Sequence, residues 1–82
     1  MEILIKLKLS INDNRTALGG HFRVNYRNFK EDPNKEAARI AYKWILKINF
    51  EHGYTAKILN VTWNEENDIT ELVRKIDEAP FR

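Results

Sequence analysis

Ile3-Leu4-Ile5-Lys6-Leu7-Lys8-Leu9-Ser10-Ile11 is the stretch on which the reading of the fold turns. Every odd position is a branched aliphatic residue, and the even positions carry Lys6, Lys8 and Ser10, with Leu4 the exception. A strand sends successive side chains to opposite faces, so this pattern describes a strand with one face on a core and the other in water. The remaining segments are read by asking what completes that core and what lies beside the cationic face.

Working toward the C-terminus, Asn12, Asp13, Asn14, Gly19 and Gly20 tolerate turns and positive φ, which predicts a loop from Asn12 to Gly20 rather than a two-residue hairpin. A second strand is expected from His21 to Phe29. Its inward residues would be Phe22, Val24 and Tyr26, and its outward ones His21, Arg23, Asn25 and Arg27. Asp32-Pro33 then opens a helix, since Asp accepts from the free N–H groups of a first turn and Pro at the first helical position has no N–H to leave unpaired. At 100° per residue, Ala37, Ile40, Ala41, Trp44, Ile45 and Ile48 form the core-facing stripe, and Arg39, Lys43 and Lys47 the solvated one. The helix should reach about His52 and stop at Gly53 in the left-handed conformation.

A third strand is expected over Tyr54 to Trp63. Tyr54, Ala56 and Ile58 share one parity and Leu59, Val61 and Trp63 the other, which predicts a bulge between Ile58 and Asn60. Asn64 to Asn67 reads as a polar turn, and Asp68 with Glu71 has capping-box spacing before a short helix marked by Ile69, Leu72, Val73 and Ile76. Pro80 should end it. The expected fold is therefore α+β, ordered β-β-α-β-α: a three-stranded antiparallel sheet of order 2-1-3, one long helix packed on one face, and a short C-terminal helix. A chain of 82 residues holds one such domain and has no room for a second core.

Composition narrows the function classes. With 43% hydrophobic and 32% charged residues the chain has enough apolar material to fold, which argues against disorder. The absence of cysteine removes disulfides and thiolate metal sites. No purely apolar run exceeds three residues, against the roughly 20 needed to cross a bilayer, and the N-terminus enters a strand directly, so a cytoplasmic protein without membrane contact is expected. Residues 1–50 carry ten Lys and Arg against five Asp and Glu, whereas residues 51–82 carry four against seven. The net charge of +2 is modest for a protein dedicated to duplex phosphate.

Catalysis and cofactors find little support in the residues. His21 and His52, the two histidines, have no orienting partner in sequence, and His52 has a simpler purpose as a cation near the negative end of a helix dipole. The acidic run Glu65, Glu66, Asp68 and Glu71 lacks the alternating ligands and central glycine of a calcium loop, and carboxylates gather at helix starts for dipole reasons. Gly19-Gly20 lacks the Lys-Ser/Thr of a phosphate loop. The chain is thus read as a protein that is not an enzyme, with no catalytic residue, metal or cofactor.

Two surfaces carry the positive expectations. Lys6, Lys8, His21, Arg23 and Arg27 should project together from the outer sheet face, a cationic platform suited to an acidic protein surface or, alternatively, to a DNA or RNA backbone. Tyr42, Leu46 and Phe50 step along the helix four residues apart, outside the core stripe, and form an apolar strip that either tucks under the loop from Asn12 to Gly20 or Pro80-Phe81, or serves a partner or a homodimer. The order of hairpin, Ala-rich helix with a Trp (Glu36-Ala37-Ala38 through Trp44) and Gly-aromatic step (Gly53-Tyr54-Thr55) resembles the layout of small phage-encoded regulators, among them coliphage inhibitors of bacterial RNA polymerase. The resemblance spans about residues 3–63 and implies a regulator or inhibitor that docks on a larger host protein complex without catalysing a reaction.

Overall fold

In the computed structural model, residues 2–53 and 56–78 are described. The side chain of His52, the expected strand start at Tyr54 and the Pro80 stop lie outside them. The order is β1 (Glu2–Ile11), β2 (Asn14–Arg23), α1 (Tyr26–Glu31), α2 (Pro33–His52), β3 (Lys57–Trp63), β4 (Asn67–Asp68) and α3 (Thr70–Glu78). The sheet is antiparallel with order β2-β1-β3-β4, so the α+β class and the central place of β1 stand, extended by a two-residue fourth strand and a third helix.

Alternation in β1 works as expected. Ile3, Ile5, Leu7 and Leu9 are sealed beneath the helices, each burial contributing on the order of 1.5–3 kcal/mol. Facing them, α2 buries Ala37, Ala38, Ala41, Ile45 and Ile48, and α3 adds Val73 with Ile69 just before it. The long helix begins and ends as its sequence dictates: Lys35 N–H donates to Asp32 Oδ1 at 3.1 Å, and Gly53 stops the helix at φ 70°. The bulge also falls in the expected place, since Lys8 pairs with Asn60 and Leu9 with Ile58, leaving Leu59 as the extra residue.

The first connection departs from expectation. Ile11 pairs with Asn14, so Asn12 and Asp13 alone make the turn, at φ 51° and 67°. Positive φ at both central residues gives the twist that a two-residue hairpin requires, and Asn and Asp reach that region more readily than other non-glycine residues. Gly19 and Gly20 lie inside β2, not in a loop. Gly20 has a packing purpose there: the Phe22 and Trp44 rings, 4.8 Å apart, lie over it, and a Cβ would stand 3.1 Å from the Phe22 ring.

The second strand also ends six residues early. Asn25 Oδ1 accepts from Asn28 N–H and starts α1, so Tyr26, Arg27 and Phe29 belong to a helix rather than a strand. Tyr26 is exposed instead of inward, whereas Phe29 is buried, its ring edge-on to Trp63 at 5.3 Å. What anchors α1 to α2 is Glu36, a carboxylate only 3% exposed. It accepts from Asn25 N–H at 3.0 Å and from Arg39 Nε and Nη2 at 2.8 Å each. The Arg39 guanidinium holds the Glu36 carboxyl below its ordinary range against the opposing effect of burial.

At α3, the reciprocal capping box does not form. Asp68 Oδ1 accepts from the Thr70 N–H and hydroxyl, but Glu71 turns forward to Arg74.

Candidate binding surface

The described helices lie on one side of the sheet, so the even side chains of β1 and their cross-strand neighbours form a face that no described helix covers. The register fixes its membership. Lys6 sits between Gly19 and Thr62, and Lys8 between Ala17 and Asn60, while His21 lies opposite Leu4, Arg23 opposite Glu2 and Arg15 opposite Ser10. Small neighbours on both flanks leave the two lysines standing clear of the sheet.

Of the expected platform, Lys6, Lys8, His21 and Arg23 therefore share one exposed face. Arg27 does not join them: it lies on α1, which packs on the helical side beside Trp63. Arg15 takes its place. It was hidden in sequence because residues 12–20 read as a loop, although the alternation of Thr16, Leu18, Gly20 and Phe22 carries the strand signal.

Electrostatics divide the cations. Lys6 Nζ meets Glu65 Oε1 at 2.6 Å, and that contact holds the Glu65 carboxyl below its ordinary range. The pair is exposed on both sides and contributes little to stability. Among the described residues, Lys8, Arg15 and Arg23 have no carboxylate within 4.0 Å. The imidazole of His21 stands on the face, but no described Phe, Tyr or Trp of the sheet does, and Phe29, expected at its margin, is in the core.

The acidic segment is dispersed rather than convergent. Glu65 goes to Lys6, Asp68 to Thr70 and Glu71 to Arg74, and no described group of three His, Asp or Glu residues could hold a metal ion. Thr70 holds the Asp68 carboxyl low through its hydroxyl and its N–H.

The helix strip is reduced. Tyr42 is buried, because α3 packs alongside α2, and only Leu46 and Phe50 stay exposed, Phe50 at 89%. No described helix is long and apolar enough to cross a membrane. No protein-family model matches the chain, and no curated protein or solved structure is significantly similar to it.

Proposed function

We propose that this chain is a non-catalytic binding protein of the phage or mobile-element regulator type, which docks inside the cell on an acidic surface of a larger host protein complex and modulates it. The observation that carries this reading is the sheet face that no described helix covers, on which Lys8 and Arg15 have no described carboxylate within 4.0 Å and Arg23, across from Glu2, makes no described salt bridge. Cations not tied up in salt bridges raise encounter rates with an acidic partner more than they add affinity. With His21 the sole described ring on the face and no described Phe, Tyr or Trp beside it, a protein is favoured over DNA or RNA, since sheet-based nucleic-acid binders draw much of their affinity from bases laid on several aromatic side chains. Leu46 and Phe50 add an apolar contact on the opposite side of the domain.

Charge reversal at Arg15 and Arg23 tests the reading. Capture from host extract followed by binding kinetics should give slower association and a flatter salt dependence for the double variant. Unchanged affinity and association rate would remove the face from the proposal. A mobility shift with DNA or RNA that survives moderate salt would replace the protein partner with nucleic acid.

A further inference from the structure

The two sheet edges are treated differently. At the β3 side several of the outward groups that could recruit a strand are engaged. Val61 N–H donates to Thr70 Oγ1 at 2.9 Å, Val61 C=O accepts from Ile69 N–H, Trp63 C=O accepts from the Asn67 side chain, and Arg74 caps the Ile58 carbonyl at the bulge.

At the β2 edge the phase is set by Leu4, whose N–H and C=O both engage Asn64, on the β3 side of β1. Odd residues of β1 therefore bond to even residues of β2, and the N–H and C=O groups of Arg15, Ala17, Gly19, His21 and Arg23 point away from the sheet. Among the described residues none of these groups has a partner. Residues 16–22 contain no Lys or Pro, the usual devices that blunt an edge.

Beside this edge the helical side offers a shallow apolar groove. It consists of two depressions that meet at Trp44, one with Leu18, Ile48 and Thr16, the other with Phe22, Ile40 and the cations Arg39, Lys43 and Lys47. The inward residues of β2 stay half-buried, whereas Ile3, Ile5, Leu7 and Leu9 of β1 are sealed, because no described element lies beyond the edge.

We propose that β2 accepts an extended segment of the partner protein as an added antiparallel strand, with acidic and apolar residues alternating. The proposal rests on the acidic-partner reading above and specifies where and how that partner is held. In an antiparallel addition the incoming residues that bond to β2 share its outer face, so their acidic side chains come beside Arg15, His21 and Arg23. The intervening apolar side chains enter the groove over Leu18 and Phe22. Charge selects this occupant over a second copy of the chain: two β2 edges paired about a two-fold axis would bring Arg15, Arg23, Lys43 and Lys47 of both protomers together.

The probe is a blocked peptide of about nine alternating Glu and Val residues, which covers most of the edge at roughly 3.4 Å per residue. Two further versions carry N-methyl groups on all Glu nitrogens or on all Val nitrogens. The parent and the Val-methylated peptide should bind with similar affinity and slow amide exchange at Ala17, Gly19 and His21. The Glu-methylated peptide, which loses the donors facing β2, should bind at least tenfold more weakly. Equal binding by all three, lost on R15E/R23E, would overturn strand addition and leave the cationic-face reading intact. Failure of every peptide to bind while R15E/R23E still weakens capture of the host complex would have the same meaning. Sedimentation showing a dimer whose β2 amides are protected would overturn the proposal in favour of self-pairing.

Discussion

Replacing Glu36 by Gln should destabilise the domain at pH 7 by about 2 kcal/mol. The carboxylate accepts from Asn25 N–H and twice from the Arg39 guanidinium, at 2.8–3.0 Å, and is itself only 3% exposed. Glutamine keeps the shape but has a single acceptor oxygen, so its NH2 must face a donor. Hydrogen bonds to charged groups contribute on the order of 1.5–3 kcal/mol each, but Arg39 is 43% exposed and recovers part of its hydration, which places the loss toward the lower end. For a domain of this size that is a fall of about 10 °C in Tm.

The pH dependence gives the argument its sign. The folded pKa of Glu36 lies below its ordinary 4.5, so its contribution is fully present above 4.5 and is lost as pH falls through the lower folded value. Urea unfolding of both proteins at pH 7 and in acid should show the stability gap closing as the wild-type carboxyl takes up its proton and comes to resemble the amide. A gap absent at pH 7, or one that persists unchanged into strong acid, would refute the assigned role.

Other substitutions test the remaining joints. Thr70→Val strips the acceptor from the buried Val61 N–H and should cost about 1–3 kcal/mol in urea unfolding, whereas Thr70→Ser should cost clearly less. Asp13→Gly relieves a non-glycine residue at φ 67° and should raise stability by about 0.5 kcal/mol after the greater freedom of glycine in the unfolded chain is offset; a lower Tm would contradict the turn geometry. Gly20→Ala places a Cβ 3.1 Å from the Phe22 ring and 3.3 Å from Trp44, so it should lower stability by about 1 kcal/mol and alter the near-UV dichroism of the tryptophans.

Where a local pattern is sufficient, the fold is legible in the sequence. The alternation of residues 3–11 identified the central strand, Asp32 and Gly53 bracketed the long helix, and the parity change after Ile58 located the bulge. Long-range causes were not legible. Gly19-Gly20 outweighed Asn12-Asp13 as a turn signal, because the close ring approach that requires Gly20 involves Trp44, 24 residues further on. Continued alternation through Tyr26 concealed the start of α1, where Asn25 caps the helix and donates its backbone N–H to a carboxylate 11 residues away. For the surface, period two sufficed for Lys6, Lys8, His21 and Arg23; Arg15 and Arg27 were misplaced with the misread boundaries of β2, and Tyr42 with the unforeseen packing of α3 beside α2.

The central claim is that this sheet keeps one edge closed and the other, with its cationic face, open. Residue-resolved amide hydrogen exchange on the free protein tests it most directly. Leu18, Gly20 and Phe22 in β2 and Val61 in β3 should be protected, while Ala17, Gly19 and His21 exchange at nearly the rate of an unstructured chain. Uniform protection along β2, or rapid exchange at Val61, would contradict the account.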